Sequence, residues 1–126
     1  MKTSELTGCA LAYAVGVADN RRIRFGVGGS LEVRGRTEDG EELSDDWDVW
    51  MLWYPQASWS QAGPIIEREN ISVTATGFPW WQCEDGWYAH HGNDLYAYGD
   101  TPLIAAMRAF VASKLGDEVE IPEELK

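Results

Sequence analysis

The sequence predicts an α+β fold, a mostly antiparallel sheet with one helix near the amino end and one near the carboxyl end packed on it. Three observations predict it. Residues 102–115 repeat apolar side chains at helical spacing behind a Thr-Pro start, and residues 4–18 carry a second such stripe. Between them, residues 22–25, 31–34, 47–54, 71–76 and 80–90 form short strand-like runs separated by Gly, Pro, Asn and Asp. The 126 residues, 44% hydrophobic and 25% charged, suffice for one core and one domain spanning 1–126, with a globular rather than a disordered composition.

In the first helix Thr3 is placed to cap residues 4–18, with Leu6, Ala10, Tyr13 and Val17 on one apolar face. Asp19-Asn20 ends it. Strands over 22–25 and Leu31–Arg34 flank a Gly26-Val27-Gly28-Gly29 turn, whose spacing falls short of a phosphate-binding loop. Residues 37–48 are polar and acidic and read as a solvated loop. Residues 47–54 turn apolar on both alternating sets, which predicts a central strand covered on both faces. Residues 55–64 carry prolines at both ends and Gly63, and read as an ordered loop.

After a strand over 71–76, residues 80–83 and 87–90 around Asp85-Gly86 have the signature of a type I′ hairpin, with Cys83 facing Tyr88 and Trp81 facing His90. The last helix is the best specified element. Thr101 caps it, Pro102 fills the first position where no amide donor is needed, Leu103, Ile104, Met107, Phe110, Val111 and Leu115 form its stripe, and Gly116 closes it. Residues 117–126 are acidic and stopped by Pro122; no internal repeat or low-complexity segment appears.

The net charge of −11 argues against direct binding to nucleic acid or to an anionic membrane, since phosphate recognition depends on clustered Lys and Arg. It suits a soluble surface, and equally an acidic face that imitates phosphates toward a basic partner. The apolar runs are too short to span a bilayer and residues 1–5 lack a signal-peptide start, so a cytoplasmic chain is expected. In a reducing compartment Cys9 and Cys83 read as small buried hydrophobes.

Residues 101–108 (Thr-Pro-Leu-Ile-Ala-Ala-Met-Arg) and 111–119 (Val-Ala-Ser-Lys-Leu-Gly-Asp-Glu-Val) resemble the carboxyl end of the NinX-like phage and prophage proteins. Leu6-Thr7-Gly8 leading to Leu11, and residues 59–69 (Trp-Ser-Gln-Ala-Gly-Pro-Ile-Ile-Glu-Arg-Glu), are similar to the same family. The resemblance departs at Ala12-Tyr13, where the family pattern has Asp-Trp, and at Ser58, where it has Asp. It implies an accessory role of a temperate phage, acting in the host cytoplasm on host takeover or host defence. It implies no catalytic residue.

The chemistry of the residues agrees with a binding role. Cys9, Cys83, His90 and His91 lack metal-ligand spacing, and no nucleophile elbow accompanies the histidines, so no metal, cofactor or catalytic residue is expected. Seven tryptophans exceed what one small core needs, and the adjacent Trp80-Trp81 must face opposite sides of a strand, so one borders solvent, a ligand or a second copy in a homodimer. The segment 59–69 offers an aromatic plane, an amide and a cation within ten positions. The expected ligand-binding set is therefore Trp59, Gln61 and Arg68, with Trp80 or Trp81 opposite, around a small nucleotide-like molecule. The alternatives are an acidic module that inhibits a host nucleic-acid-binding or defence protein, and an enzyme of unrecognised type.

Overall fold

The computed structural model describes residues 1–35, 49–75, 86–92 and 95–125. Among them are three α-helices, α1 (Gly8–Ala18), α2 (Trp59–Glu69) and α3 (Pro102–Leu115), and six strands. Strands β1 (Ile23–Phe25), β2 (Leu31–Arg34) and β3 (Trp50–Leu52) form one antiparallel sheet in that order; β4 (Ile71–Ala75), β5 (Trp87–His91) and β6 (Leu95–Gly99) form another. The class is α+β, as expected, with helices at both ends of the chain.

α3 is the centre of the core. Thr101 accepts the amide of Ile104 at 3.1 Å, as a capping threonine does. Ala105, Ala106, Met107, Ala109, Phe110 and Val111 are all fully buried. The alternation of β4–β6 turns Ile71, Val73, Ala89 and Ala97 toward this core and leaves Tyr96 and Tyr98 exposed on the other face. Gly99 lets the sheet meet the helix, because a Cβ there would lie 2.6 Å from the Ala105 amide nitrogen. On the other side α1 presents Leu11, Ala12, Ala14 and Val15, and Gly16 leaves room for Ile23 and Trp53. The Trp53 indole donates to the Ala12 carbonyl at 2.8 Å, joining the first sheet to α1.

Several expectations are corrected. α1 begins at Gly8, not at residue 4, because Leu6 is extended and buried, and Thr3 does not cap it. Thr3 sits in a 3-10 turn (Thr3–Glu5) and donates its hydroxyl to the Gly116 carbonyl at 2.7 Å, closing the end of α3 instead. Packing buries a different stripe of α1 from the one expected: Leu11 and Val15 are buried and Val17 is exposed, and Cys9 in the first turn is exposed rather than a buried hydrophobe.

The segment 55–64 is not all loop. α2 starts at Trp59 and runs through Pro64, because only one backbone bond is lost there while Ala62 and Ile65 bury their side chains; Asn70, at φ 53°, ends the helix in the left-handed conformation. Strand β3 is an edge strand of the described sheet, three residues long with Met51 and Leu52 exposed, and β2 is the central one.

β3 and the strand that carries His90 belong to two separate sheets. β5 is flanked on both sides: Tyr88 is paired with Thr74 and Tyr98, and His90 with Ser72 and Tyr96. The expected pairing of residues 80–83 with this strand falls outside the described residues. Cys83, Trp80 and Trp81, and the acidic loop 37–48 apart from its neighbours, lie outside the described residues.

Phe110→Ala removes a fully buried ring and is expected to cost about 3–5 kcal/mol, read as a lowered urea midpoint at unchanged m-value. Gly99→Ala, which adds one methyl against backbone, is expected to cost about 1–3 kcal/mol in the same measurement.

Candidate functional site

The three helices start together. Gly8 of α1, Trp59 of α2 and the first residues of α3 line one groove of about 460 Å³, completed by Gln56 and Ala57 of the turn before α2. At their other ends Arg68 of α2 bonds Asp19, just past α1, at 2.8 Å, and Glu69 meets Lys114, in the last turn of α3, at 3.2 Å. All three helices therefore run the same way, and their positive dipole ends converge on the groove, each carrying about half an elementary charge.

Acidic side chains usually occupy this position in a helix. Here the chain has 21 Asp and Glu, yet none stands in the first turn of α1, α2 or α3. Nor does a side chain cap α1 or α2: Ser58 hydrogen-bonds Ser60, and Thr7 makes no capping bond. Trp59 stands in the groove wall with 59% of its surface exposed. The Gln56 Oε1 atom is buried without a hydrogen-bond partner among the described residues. Together these supply an aromatic plane, an unused acceptor and a positive field, with no titratable side chain among the described lining residues.

Of the described residues among those expected from sequence, Trp59 lines this groove and Gln61 and Arg68 do not. Gln61 is committed elsewhere: its Nε2 donates to the Leu52 carbonyl at 2.6 Å, and its Oε1 accepts the Tyr54 amide at 2.8 Å, so it fastens the first turn of α2 to the end of β3. Arg68 lies about 14 Å from Trp59 along the helix axis, nine residues at 1.5 Å each. It is held there by Asp19 and by Glu69, at 3.2 Å. Trp80 and Trp81 lie outside the described residues.

Sequence reasoning missed Gly8, Gln56 and the start of α3 as groove residues. The Thr101-Pro102 helix start was a legible signal; its proximity to Trp59 was not.

The sequence pattern of the family described as Bacteriophage P22, NinX matches residues 2–114. The chain belongs to that family. The match runs from the amino-terminal turn through all six strands and nearly to the end of α3, so every wall of the groove falls within the NinX-family region. Among curated proteins, none matches the chain. No helix of the described residues is long and apolar enough to cross a membrane.

At the opposite end of the helices, Glu69 gathers Arg68, Lys114 and His91, the last at 3.4 Å. Burial pushes the Glu69 carboxyl up, but hydrogen bonds and charge from Lys114 and Arg68 outweigh it and hold the group below its ordinary value. The folded-state value is thus the lower one. The stabilisation is complete above the ordinary carboxylate range and is lost as pH falls through the depressed value. Glu69→Gln is expected to lower the urea midpoint at neutral pH and to flatten its decline on acidification; an unchanged acid profile in the variant would show that Glu69 does not contribute.

Proposed function

We propose that this NinX-family protein is a non-catalytic phage accessory protein that binds a small, planar, anionic molecule of nucleotide type in the groove beside Trp59, and by holding it blunts a host defence process. The observation that carries the reading is the convergence of three helix starts, with no acid in their first turns in a strongly acidic chain, on a groove with an exposed tryptophan in its wall.

Size supports it. A groove of about 460 Å³ lies within the roughly 300–1,000 Å³ of small-molecule sites. Two further grooves among the described residues, of about 280 and 160 Å³, lie below that range. Chemistry supports it too: helix amides and dipoles suit a phosphate, the Trp59 face suits a base, and the Gln56 carbonyl oxygen suits a ring donor. Among the described residues, no acid, base or nucleophilic thiol lines the groove, which favours holding over turnover.

Isothermal titration with purine mono-, di- and cyclic nucleotides tests it. Base stacking contributes about 1–3 kcal/mol, so Trp59→Ala is expected to weaken binding roughly 5- to 150-fold, with Trp59→Phe recovering most of the loss. If no member of the panel binds or raises the melting temperature, or if Trp59→Ala binds as the native chain does, the reading is wrong.

A further inference from the structure

The far ends of the same helices form a different surface. Ala14 and Val17 of α1, Leu115 of α3 and Val119 of the chain that follows make the apolar floor of a groove of about 280 Å³, with Glu118 and Glu120 at its edge. Val17 is 39% exposed there. A cleft this small suits an anchoring side chain of a protein partner better than a free ligand.

The field over this cleft is negative from two sources. The carboxyl ends of α1 and α3 point toward it, and residues 117–124 contain five acids, Asp117, Glu118, Glu120, Glu123 and Glu124, with no base. Lys114, the only base in the last turn of α3, is engaged by Glu69, and α1 has none in its last turn. The rim is also fixed in place. Met1 and Val119 exchange hydrogen bonds at 2.9 and 3.0 Å, and the Thr3 amide donates to the Asp117 carbonyl at 2.8 Å. The Met1 amino group, 3.5 Å from Glu118, offsets part of the charge, whereas Glu120 is exposed and makes no ion pair among the described residues.

We infer that this groove docks a basic, amphipathic segment of a protein partner, which seats an apolar side chain between Val17 and Val119 and lays Lys or Arg over Glu118 and Glu120. Charge complementarity selects that occupant. Nucleic acid and anionic lipid meet the wrong sign, and a second copy of this chain brings like charge. The surface is separate from the Trp59 groove, and its partner is a protein rather than a small molecule.

The test uses a labelled helical peptide of leucine and lysine with its leucines on one face, titrated by fluorescence anisotropy into the full chain. Binding is expected to weaken about tenfold or more from low to physiological salt. Val17→Ser and Glu120→Gln, both at exposed positions, are expected to weaken it about three- to tenfold at melting temperatures near the native one. Glu67→Gln, exposed on α2, removes the same charge elsewhere and should leave binding unchanged. A peptide of the same composition with scattered leucines should bind more weakly. Equal effects of Glu67→Gln and Glu120→Gln, native affinity in Val17→Ser, or equal binding of the scattered peptide would reduce the attraction to diffuse net charge and overturn the inference. Self-association that Val17→Ser abolishes would assign the groove to a second copy and overturn it as well.

Discussion

The small side chains of α3 set the distances in this molecule. Ala105, Ala106 and Ala109 have no exposed surface, and the strand opposite carries Gly99 where a Cβ would strike the helix backbone. Helix and sheet therefore meet almost backbone to backbone, while Met107, Phe110 and Val111 fill the volume on the remaining sides. An element held this closely cannot slide by a fraction of a turn without a clash. α3 can then serve as a common wall for the β4–β6 sheet and for α1, and as the reference against which the other helix starts are placed.

Parallel helices side by side are electrostatically unfavourable, because like ends of their dipoles are brought together. The chain deals with the two ends in opposite ways. At the carboxyl ends ion pairs tie the elements together, Arg68 and Arg21 with Asp19 and Lys114 with Glu69. Burial draws the Arg68 guanidinium down while Asp19 and Glu69 raise it, and the net displacement is upward, deeper into the charged form. At the amino ends no acid stands in the first turn, although the chain has many. A sequence optimised only for folding would place some there, at a gain of about 0.3–1 kcal/mol each. Leaving out an available stabiliser at three places that meet in one groove is the pattern expected where binding competes with stability.

The local code was legible wherever a single stretch of chain contained it. Thr101, Pro102 and Gly116 bracket α3 as their chemistry requires, and β2 and β4 follow from alternation alone. What failed was local evidence overruled by packing. Pro64 and Gly63 argue against a helix over 59–69, yet burial of Ala62 and Ile65 and the two bonds from Gln61 to β3 sustain one. Thr3 looked like a cap for the helix next to it and instead caps the end of a helix 113 residues away. Trp59 was found because an aromatic on a polar segment stands out. Gly8 and Gln56 were not, since nothing near them in sequence shows that α1 and α3 begin beside it.

The parallel arrangement also decides how the two ends relate. Val17 follows Gly8 by nine residues on α1 and Leu115 follows Ile104 by eleven on α3, so the Trp59 groove and the Val17 groove lie about 14 to 17 Å apart along these axes. That is about twice the screening length of roughly 8 Å at physiological salt, so charge bound in one groove is only weakly felt in the other. Any coupling must pass through the helices themselves. α1 is as firmly seated as α3: Leu11, Ala12, Ala14 and Val15 are buried, and the Trp53 indole holds the Ala12 carbonyl. Because α1 supplies Gly8 to the first groove and Val17 to the second, and α3 supplies Ile104 and Leu115, the two grooves share one packed helix pair, and coupling between them requires that pair to shift as a body.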